Sequence, residues 1–230
     1  MKSLKKLVVL SGAGMSAESG IATFRGSGGL WEGCKVEEVA TPEAFHANPE
    51  LVLNFYNARR ENVLQTKPNL GHITLAQLEE NFDVHIVTQN VDDLHERAGS
   101  TKVLHLHGEL MKSRSTKDVS LIFDIQGSEL NLGDLCPLGS QLRPHIVWFG
   151  EAVPMINKAS KLVANADVIV IVGTSMQVYP AAGLVNFVRP GVPIHLIDPN
   201  PPEFFMQNLT IHAMGAVDGL KNLAEKLLNK

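Results

Sequence analysis

The amino-acid sequence predicts an α/β protein with a doubly wound, Rossmann-like parallel sheet, helices on both faces of that sheet, and a small inserted lobe. Three observations lead to this prediction. Short apolar segments alternate with helix-like segments along most of the chain, which is the pattern of parallel sheets. Residues 167–172 (DVIVIV) are apolar on both faces, as expected for a central strand that helices cover. A glycine-rich turn directly follows the first apolar segment.

The strands are predicted from short β-branched runs that turn residues bound. They are residues 7–10, 84–88, 103–106, 146–149, 167–172 and 194–197. Thr41 and Asn48 are each followed by a proline, so each predicts a helix whose first turn is capped by a polar side chain. The helix after Asn48 is expected to reach about Gln65. Further helices are predicted at residues 92–98, 154–165, 180–188 and 219–228.

Residues 112–142 differ from the rest of the chain, because they are polar, contain three glycines and show weak periodicity. We interpret them as a small lobe inserted into a main domain. The main domain is predicted to comprise residues 1–33, 70–111 and 143–230, with residues 34–69 as a helical insertion.

The composition is that of an ordinary globular protein, with 44% hydrophobic and 19% charged residues. The formal net charge of −4 argues against general nucleic-acid binding, which needs basic residues to neutralise phosphates. Cys34 and Cys136 can supply neither a disulfide framework nor a four-cysteine metal site, and such low cysteine use fits a reducing compartment. The sequence shows no signal-peptide pattern and no apolar run near the ~20 residues that cross a bilayer. We expect a cytoplasmic protein, a monomer, with no membrane or nucleic-acid partner.

The turn after the first strand, residues 12–17 (GAGMSA), matches the pattern G-x-G-x-x-G/A. In dinucleotide-binding sheets the first glycine permits a tight turn, the second lets backbone N–H groups approach a pyrophosphate, and the third small residue lets the next segment pack closely. The motif therefore predicts a dinucleotide site, and the alternative is a glycine turn without a ligand. Gly173, Thr174 and Ser175 follow the most apolar strand and offer further backbone donors.

Asp198 closes the predicted strand 194–197 and is the best candidate for the acidic residue that holds a ribose. Glu37 and Glu38 lie nearer the usual spacing, but not at the end of a strand. A carboxylate at Asp198 would accept hydrogen bonds from ribose hydroxyls and repel a 2′-phosphate, which favours NAD over NADP. A turn cap is an equally good interpretation of Asp198.

Polar side chains also cluster after two neighbouring predicted strands. Gln89, Asn90 and Asp92 follow the strand 84–88, and His107 follows the strand 103–106. Parallel neighbours would bring these groups to one edge of the sheet, where an imidazole beside amides and a carboxylate suits acid–base catalysis. The alternatives are a helix N-cap for Asp92 and a turn histidine for His107. The other histidines are mostly interpreted as structural.

Together these motifs resemble the sirtuins, a family of NAD-dependent protein lysine deacylases. The matching segments lie in family order over nearly the whole chain: residues 12–21 (GAGMSAESGI), 23–25 (TFR), 88–92 (TQNVD), 106–108 (LHG), 147–151 (VWFGE), 173–175 (GTS) and 180–182 (PAA). The resemblance implies that the main domain binds NAD, that NAD is consumed as a co-substrate, and that the partners are acyl-lysine protein substrates.

The resemblance also implies a role for each matching residue. His107 would be the general base, and Asn90 and Asp92 would organise the nicotinamide pocket. Val147, Trp148 and Phe149 would bind the extended substrate by strand addition. The cofactor contacts would come from Gly12, Ala13, Gly14, Ser16, Thr23, Phe24, Arg25, Gln89, Asn90, Asp92, His107, Gly173, Thr174, Ser175, Asp198 and Ala216.

The family's reaction explains why these groups are needed. The acyl-lysine carbonyl oxygen attacks the ribose carbon that carries nicotinamide, and nicotinamide leaves. His107 would then remove a proton through the ribose diol, so that a ribose oxygen attacks the acyl carbon. The products implied are free lysine, nicotinamide and O-acyl-ADP-ribose.

Tyr56 and Arg59 are three positions apart on the helix after Asn48, so both side chains are expected on one helical face. A phenol and a guanidinium can together hold a carboxylate. Within the sirtuins this Tyr-x-x-Arg pair resembles the branch that accepts succinyl- and malonyl-lysine. The alternative is a core tyrosine beside a solvated arginine.

The chain departs from the family at the structural zinc. The family's two C-x-x-C pairs fall at Ser115 and Asp118 and at Cys136 and Gly139, so only one of the four cysteines remains. A structural zinc site needs four good ligands, and no zinc is expected here. The lobe is instead predicted to be held by the packing of Leu121, Ile122, Phe123 and Leu132.

Three other functions compete with the deacylase. An ADP-ribosyltransferase on the same fold would transfer ADP-ribose to protein without forming O-acyl-ADP-ribose. A nicotinamide dehydrogenase would need a hydride-acceptor pocket, which the sequence does not indicate. A sensor of NAD or ADP-ribose would not need His107 and the polar residues beside it.

Overall fold

The computed structural model describes residues 4–23, 30–31, 34–202 and 205–229. The strands are β1 (Lys6–Ser11), β2 (Leu30–Trp31), β3 (Cys34–Lys35), β4 (Asp83–Thr88), β5 (Val103–His105), β6 (Gly108–Ser115), β7 (Ile122–Asp124), β8 (Leu142–Ile146), β9 (Val168–Val172), β10 (Ile194–Ile197) and β11 (Leu209–His212). The α-helices are α1 (Gly14–Ala17), α2 (Val36–Val39), α3 (Pro42–Ala47), α4 (Pro49–Gln65), α5 (Leu70–Gln77), α6 (Leu94–Arg97), α7 (Ile156–Ala164) and α8 (Ala216–Leu228). Short 3₁₀ helices span Leu78–Glu80 and Ala181–Phe187.

The main sheet contains six parallel strands in the order β11-β10-β9-β1-β4-β5. In β1, Leu7 lies opposite Val84 of β4 on one side and Val168 of β9 on the other. The chain builds outward from β1 through β4 and β5, then returns to the other side of β1 for β9. This reversal creates a switch point between β1 and β9, the place where open α/β sheets bind ligands. The predicted fold class is confirmed.

The apolar side chains of the sheet alternate between two cores. Val170 of β9 belongs to one core, which also contains Leu220 of α8. The next residue, Ile171, belongs to the other core, with Val163 of α7 and Leu184. Because helices cover both faces, β9 buries every one of its side chains, which explains its unbroken apolar run.

Both predicted helix starts in the insertion are confirmed. Thr41 Oγ1 accepts a hydrogen bond from Ala44 N (3.0 Å), and Asn48 Oδ1 accepts one from Leu51 N (3.1 Å). Each cap satisfies a backbone N–H that the first helical turn leaves without a partner. The helix after Asn48 ends at Gln65, as predicted.

Some predicted elements are wrong in extent. β8 ends at Ile146, so residues 147–149 are not a strand. The backbone of these residues bonds instead to the carbonyl oxygens of His107 and Ala40. α8 begins at Ala216, three residues before the predicted start at 219. Gly219 therefore lies inside the helix, where a Cβ would come 2.2 Å from Ile197 Cγ2. The predicted helix at 180–188 is the 3₁₀ helix Ala181–Phe187.

The small lobe contains the antiparallel sheet β7-β6-β8 and the loops that connect its strands. The apolar packing predicted for it is wrong, because Ile122 is 43% exposed and Leu132 is 60% exposed. The lobe buries Leu130 and Cys136 instead. The sheet itself runs from Gly108 to Ile146. The division into a main domain, an insertion (34–69) and a lobe (112–142) stays a proposal.

Arg60 of α4 anchors the lobe. Its side chain is completely buried and donates to the carbonyl oxygens of Ser128 (2.8 Å) and Leu110 (3.3 Å). Asn57, one turn earlier, accepts a hydrogen bond from Arg60 and binds the backbone N–H and C=O of Leu130 (3.0 and 3.2 Å). Burial lowers the pKa of Arg60 to about 10, so the guanidinium stays charged at neutral pH. Side chains on one face of α4 thus bind the backbone of the lobe and hold the lobe in place.

The positions that match the family's zinc ligands form a hydrogen-bonded cluster. Ser115 Oγ accepts hydrogen bonds from the backbone N–H groups of Lys117 and Asp118 (both 3.1 Å). The Cys136 thiol donates to Ser115 Oγ (3.3 Å) and lies 3.1 Å from Ser140 Oγ. With one thiol, this cluster does not fit a zinc ion. Within the described ranges, no group of three or more His, Cys, Asp or Glu side chains is placed to hold a metal ion.

In the described part of the chain, none of the helices combines the length and the apolar character that crossing a membrane requires.

Arg60→Ala is expected to lower the free energy of unfolding by roughly 3 kcal/mol, because it leaves the buried carbonyl groups of Ser128 and Leu110 without their donor. Urea unfolding followed by circular dichroism measures the change. Glu61→Ala, at the exposed neighbouring position, is the control and should change the free energy by less than about 0.5 kcal/mol. Equal effects of the two substitutions would show that Arg60 is not an anchor.

Treatment with a strong zinc chelator is expected to leave the unfolding midpoint and the activity unchanged, because hydrogen bonds of Arg60 and Ser115 hold the lobe. Elemental analysis of the purified protein tests the same point. One zinc per chain, or a lower midpoint after chelation, would show that this prediction is wrong.

Candidate active site

The glycine loop after β1 and the loop after β9 touch through their backbones. Gly12 N donates to Val172 O (3.1 Å), and Gly14 N donates to Gly173 O (2.8 Å). A Cβ on Gly14 would lie 2.7 Å from Gly173 Cα. Gly173 has a φ of +60°, and its own Cβ would lie 2.2 Å from Met15 N. This packing requires glycine at both positions, since any side chain would push the loops apart.

The third small residue of the motif, Ala17, does not pack as predicted. It is exposed, so its size is not needed for a close contact. The neighbouring Ser16 is only 1% exposed and makes the polar contacts of the loop.

Ser16, Asn90 and Asp92 form one buried hydrogen-bonded cluster. Ser16 Oγ donates to Asp92 Oδ2 (3.1 Å) and accepts from Asn90 Nδ2 (3.2 Å). Burial raises the pKa of Asp92, although the Leu94 N–H and the Ser16 hydroxyl bind its charged form. Asp92 Oδ1 also accepts from Leu94 N (3.2 Å) in the turn before α6, but the N-cap residue of α6 is Asp93, so Asp92 is not the helix N-cap of the alternative interpretation. The same side chain therefore serves the local turn and the cluster.

Gln89 connects three loops. Its backbone N–H donates to Ser11 O (2.9 Å), and its side-chain Nε2 donates to Thr174 Oγ1 (2.9 Å). Its carbonyl oxygen lies 3.1 Å from His107 Nδ1. The structure thus brings predicted site residues that follow β4, β5 and β9 to one edge of the sheet, at the switch point.

The geometry around His107 determines which ring nitrogen carries the proton. A carbonyl oxygen only accepts, so Nδ1 must donate to Gln89 O, and Nε2 keeps its lone pair in the neutral ring. Burial lowers the pKa of His107 from its usual value of 6.5, against the opposing effect of the Gln89 carbonyl. The side chain is therefore neutral at pH 7, which is the state that a general base requires.

His105 belongs to the same group of residues, although the sequence analysis interpreted it as structural. Its Nδ1 lies 2.9 Å from Asn90 O, and its Nε2 lies 2.8 Å from Glu96 Oε1. Burial lowers the pKa of His105, but Glu96 outweighs burial, and the pKa is raised above its usual value. The signal that sequence reasoning missed is the i, i+2 spacing of His105 and His107, which places both on one side of an extended chain.

Four more of the residues predicted to contact the cofactor are buried or half-buried. Thr174 is 6% exposed, and Ala216, at the start of α8, is 4% exposed. Asp198 is 9% exposed, and its Oδ1 accepts from Asn200 N (2.8 Å), so Asp198 does act as a turn cap. Ser175 is half-buried.

The structure describes two of the four remaining residues that are predicted to contact the cofactor near the N-terminus. Ala13 and Thr23 are half-buried. Phe24 and Arg25 lie outside the described residues.

Tyr56 of α4 and Trp148 lie in a third core that also contains residues of α2 and α3, and Arg59 follows Tyr56 by three positions on α4. Tyr56 is completely buried, and its oxygen accepts a hydrogen bond from Trp148 Nε1 (2.9 Å). Arg59 is 8% exposed, so the interpretation as a solvated arginine is wrong, whereas Tyr56 does belong to the core. Burial raises the pKa of Tyr56 to about 12, which keeps the phenol protonated and able to donate a hydrogen bond.

The segment from Val147 to Phe149 uses its own amide groups internally. Val147 N donates to His107 O (2.9 Å), and Phe149 N donates to Ala40 O (3.0 Å). Trp148 N donates to Glu151 Oε2 (2.8 Å). A peptide that adds here as a strand would therefore donate its own N–H groups to carbonyl oxygens of this segment.

Comparison with known proteins identifies the family of this chain. The family model described as the Sir2 family matches residues 12–180. An NAD-dependent protein deacylase of Bacteroides thetaiotaomicron is 53% identical over 232 residues, covering 98% of this chain and 99% of the relative. One from Helicobacter pylori is 51% identical over 226 residues, covering 98% of each chain. A Sir2 homologue solved as an NAD complex is 40% identical with a TM-score of 0.88, covering 98% of this chain and 90% of the other. The chain therefore belongs to the Sir2 family, the sirtuins, and is an NAD-dependent protein deacylase.

Proposed function

We propose that this deacylase removes acidic acyl groups, succinyl and malonyl, as well as acetyl groups, from lysines of protein substrates. The observation that carries this proposal is the buried pair of Tyr56 and Arg59. A guanidinium that is 8% exposed lies in surroundings of low dielectric, where it attracts an acyl group that ends in a carboxylate more strongly than it would in water. An acetyl group carries no charge that the guanidinium could attract.

The hydrogen bond from Trp148 Nε1 prepares Tyr56 for the same task. The indole N–H occupies one acceptor position of the phenol oxygen, so the phenol O–H is left to donate elsewhere. The raised pKa keeps that proton in place. A neutral donor and a charged donor on one helical face suit a carboxylate better than a methyl group.

For the reaction itself, we propose that Gly12, Gly14 and Thr174 contribute to NAD binding and that His107 Nε2 accepts a proton. NAD supplies the ADP-ribosyl acceptor and the nicotinamide leaving group. The donor set fits it: the buried side chains of Ser16 and Asn90 and the half-buried amide of Gln89 converge at the switch point. The products would be free lysine, nicotinamide and O-acyl-ADP-ribose.

The setting of the enzyme stays a proposal. The net charge of −4 supports protein rather than nucleic-acid partners. The low cysteine content supports a reducing compartment such as the cytoplasm. Action as a monomer is proposed as well, and sedimentation of the purified protein tests it.

His107→Ala is expected to lower kcat/KM for an acyl-lysine peptide by roughly 10²–10⁴-fold, because the proton acceptor is lost. In the unsubstituted enzyme, the acid limb of kcat/KM should be centred below pH 6.5. The lowered pKa means that protonation removes the Nε2 lone pair only at more acidic pH. Mass spectrometry of the released lysine peptide measures both effects.

His46→Ala, at an exposed histidine, is the matched control and should leave the rate unchanged. An acid limb centred above pH 6.5 would contradict the role of a neutral His107. ADP-ribose attached to protein, without O-acyl-ADP-ribose, would favour the ADP-ribosyltransferase instead.

Arg59→Met and Tyr56→Phe are each expected to lower kcat/KM for a succinyl-lysine peptide by roughly 10- to 100-fold, the range of a lost hydrogen bond to a charged group. The matched acetyl-lysine peptide should change by less than about threefold, since its methyl group does not use the pair. Glu61→Gln, on the exposed side of the same helix, is the control. Equal losses with both peptides would show that the pair does not read a carboxylate.

A further inference from the structure

Glu151 ends the VWFGE segment, and the roles proposed so far do not use it. It lies between two arginines of the small sheet, each 8% exposed. Arg143 of β8 donates from Nη1 to Oε1 (2.8 Å) and from Nη2 to Oε2 (2.9 Å). Arg114 of β6 donates from Nη2 to both carboxylate oxygens (3.1 and 3.0 Å). The carboxylate is thus held in one orientation by both arginines.

Trp148 is held on three sides by this group and its neighbours. Its backbone N–H donates to Glu151 Oε2 (2.8 Å). The guanidinium carbon of Arg143 lies 3.3 Å from the centre of the indole ring, a stacked cation–π contact. The indole Nε1 donates to Tyr56 Oη (2.9 Å). The position of the indole ring therefore determines where the Tyr56 hydroxyl is held.

The two arginines differ in one respect. Both donate to Glu151 and to the carbonyl oxygen of Ile146 (3.0 Å from Arg143 and 3.2 Å from Arg114). Arg143 alone, within the described part of the chain, also has a cation–π contact with Trp148. Stacking on a ring while binding a carboxylate with two parallel hydrogen bonds requires a planar guanidinium.

We propose that Arg143 is a positioning residue of the acyl-lysine site, which holds the indole of Trp148 in place and through it the hydroxyl of Tyr56. The inference rests on the proposed function, in which Tyr56 binds the acyl group and Trp148 orients Tyr56. It extends that function to the small sheet, because Arg143 belongs to β8.

Charge supports the same assignment. Arg114 and Arg143 carry two positive charges against one negative charge of Glu151, which leaves a surplus of one positive charge next to Trp148. Burial dominates the raised pKa of Tyr56; the charges of Arg59 and Arg143 lower this pKa, whereas the charge of Glu151 raises it. A surplus positive charge in a buried region favours an anionic acyl group over a neutral one.

The test compares Arg143→Lys with Arg114→Lys in the full-length protein. Each substitution keeps a positive charge beside Glu151, but only Arg143→Lys removes the stack on Trp148. We expect Arg143→Lys to raise KM for a succinyl-lysine peptide about tenfold and to leave KM for NAD within about twofold. Both substitutions should lower the unfolding midpoint by a similar amount. Arg114→Lys, however, should change the peptide KM by less than about twofold. Equal rises in the peptide KM would mean a purely structural pair and overturn the inference.

Fluorescence gives a second readout that a loss of stability alone would not move. In a Trp31→Phe background, Trp148 is the only remaining tryptophan, since the chain has two. Arg143→Lys should change its emission maximum or intensity, and Arg114→Lys should not. If neither variant alters the emission of Trp148, the positioning role is wrong.

Tyr56→Phe separates this inference from the proposed function. If Tyr56→Phe raises KM for the succinyl peptide and Arg143→Lys does not, the carboxylate-binding pair stands and the role of Arg143 falls. If neither substitution affects that KM, both fall. Should Arg143→Lys not fold, Trp148→Phe takes its place, because it removes the indole donor to Tyr56 and keeps an aromatic ring under Arg143. An unchanged peptide KM in Trp148→Phe would then overturn the inference.

Discussion

The rest of the site depends on the backbone contact between the glycine loop and the loop after β9. Gly14 and Gly173 approach so closely that neither position has room for a side chain. This contact closes the switch point of the sheet and brings Thr174 within hydrogen-bonding distance of Gln89. Polar residues that follow different strands therefore share one edge, although they are far apart along the chain. Gly12 and Gly14 of the motif thus serve the packing of the protein itself.

Burial also sets the protonation states of His107 and Tyr56. It lowers the pKa of His107, so the imidazole is neutral at pH 7, and it raises the pKa of Tyr56, so the phenol keeps its proton. It also raises the pKa of Asp92, whose charged form is bound by Ser16 and a backbone N–H. A hydrogen bond within such dry surroundings is stronger than the same bond in water. The hydrogen bonds of the cluster and the shifted pKa values thus have one origin.

Helix α4 connects the substrate side to the small lobe. Tyr56 and Arg59 face the proposed acyl site, whereas Asn57 and Arg60 hold the loops of the lobe. The small sheet β7-β6-β8 in turn supplies the arginines that bind Glu151 beside Trp148. The lobe therefore has a defined place, because hydrogen bonds with the side chains of Asn57 and Arg60 hold its backbone. The proposed acyl site depends on this placement of the lobe by α4.

The sequence by itself determined the features that depend on near neighbours along the chain. The fold class follows from the period of apolar residues, and the helix starts at Thr41 and Asn48 follow from capping chemistry. The residues that end the strands, such as Gln89 and His107, could also be placed at one edge, because parallel strands all point the same way. Only the tertiary structure decided features that need a distant partner. Position 219 inside α8 is a glycine because Ile197 packs against it. β8 ends where the backbone begins to bond to the carbonyl oxygens of His107 and Ala40. The position of Arg143 depends on its contact with Trp148. No local pattern carries such information, since the partner of each residue is chosen by how the folded layers meet.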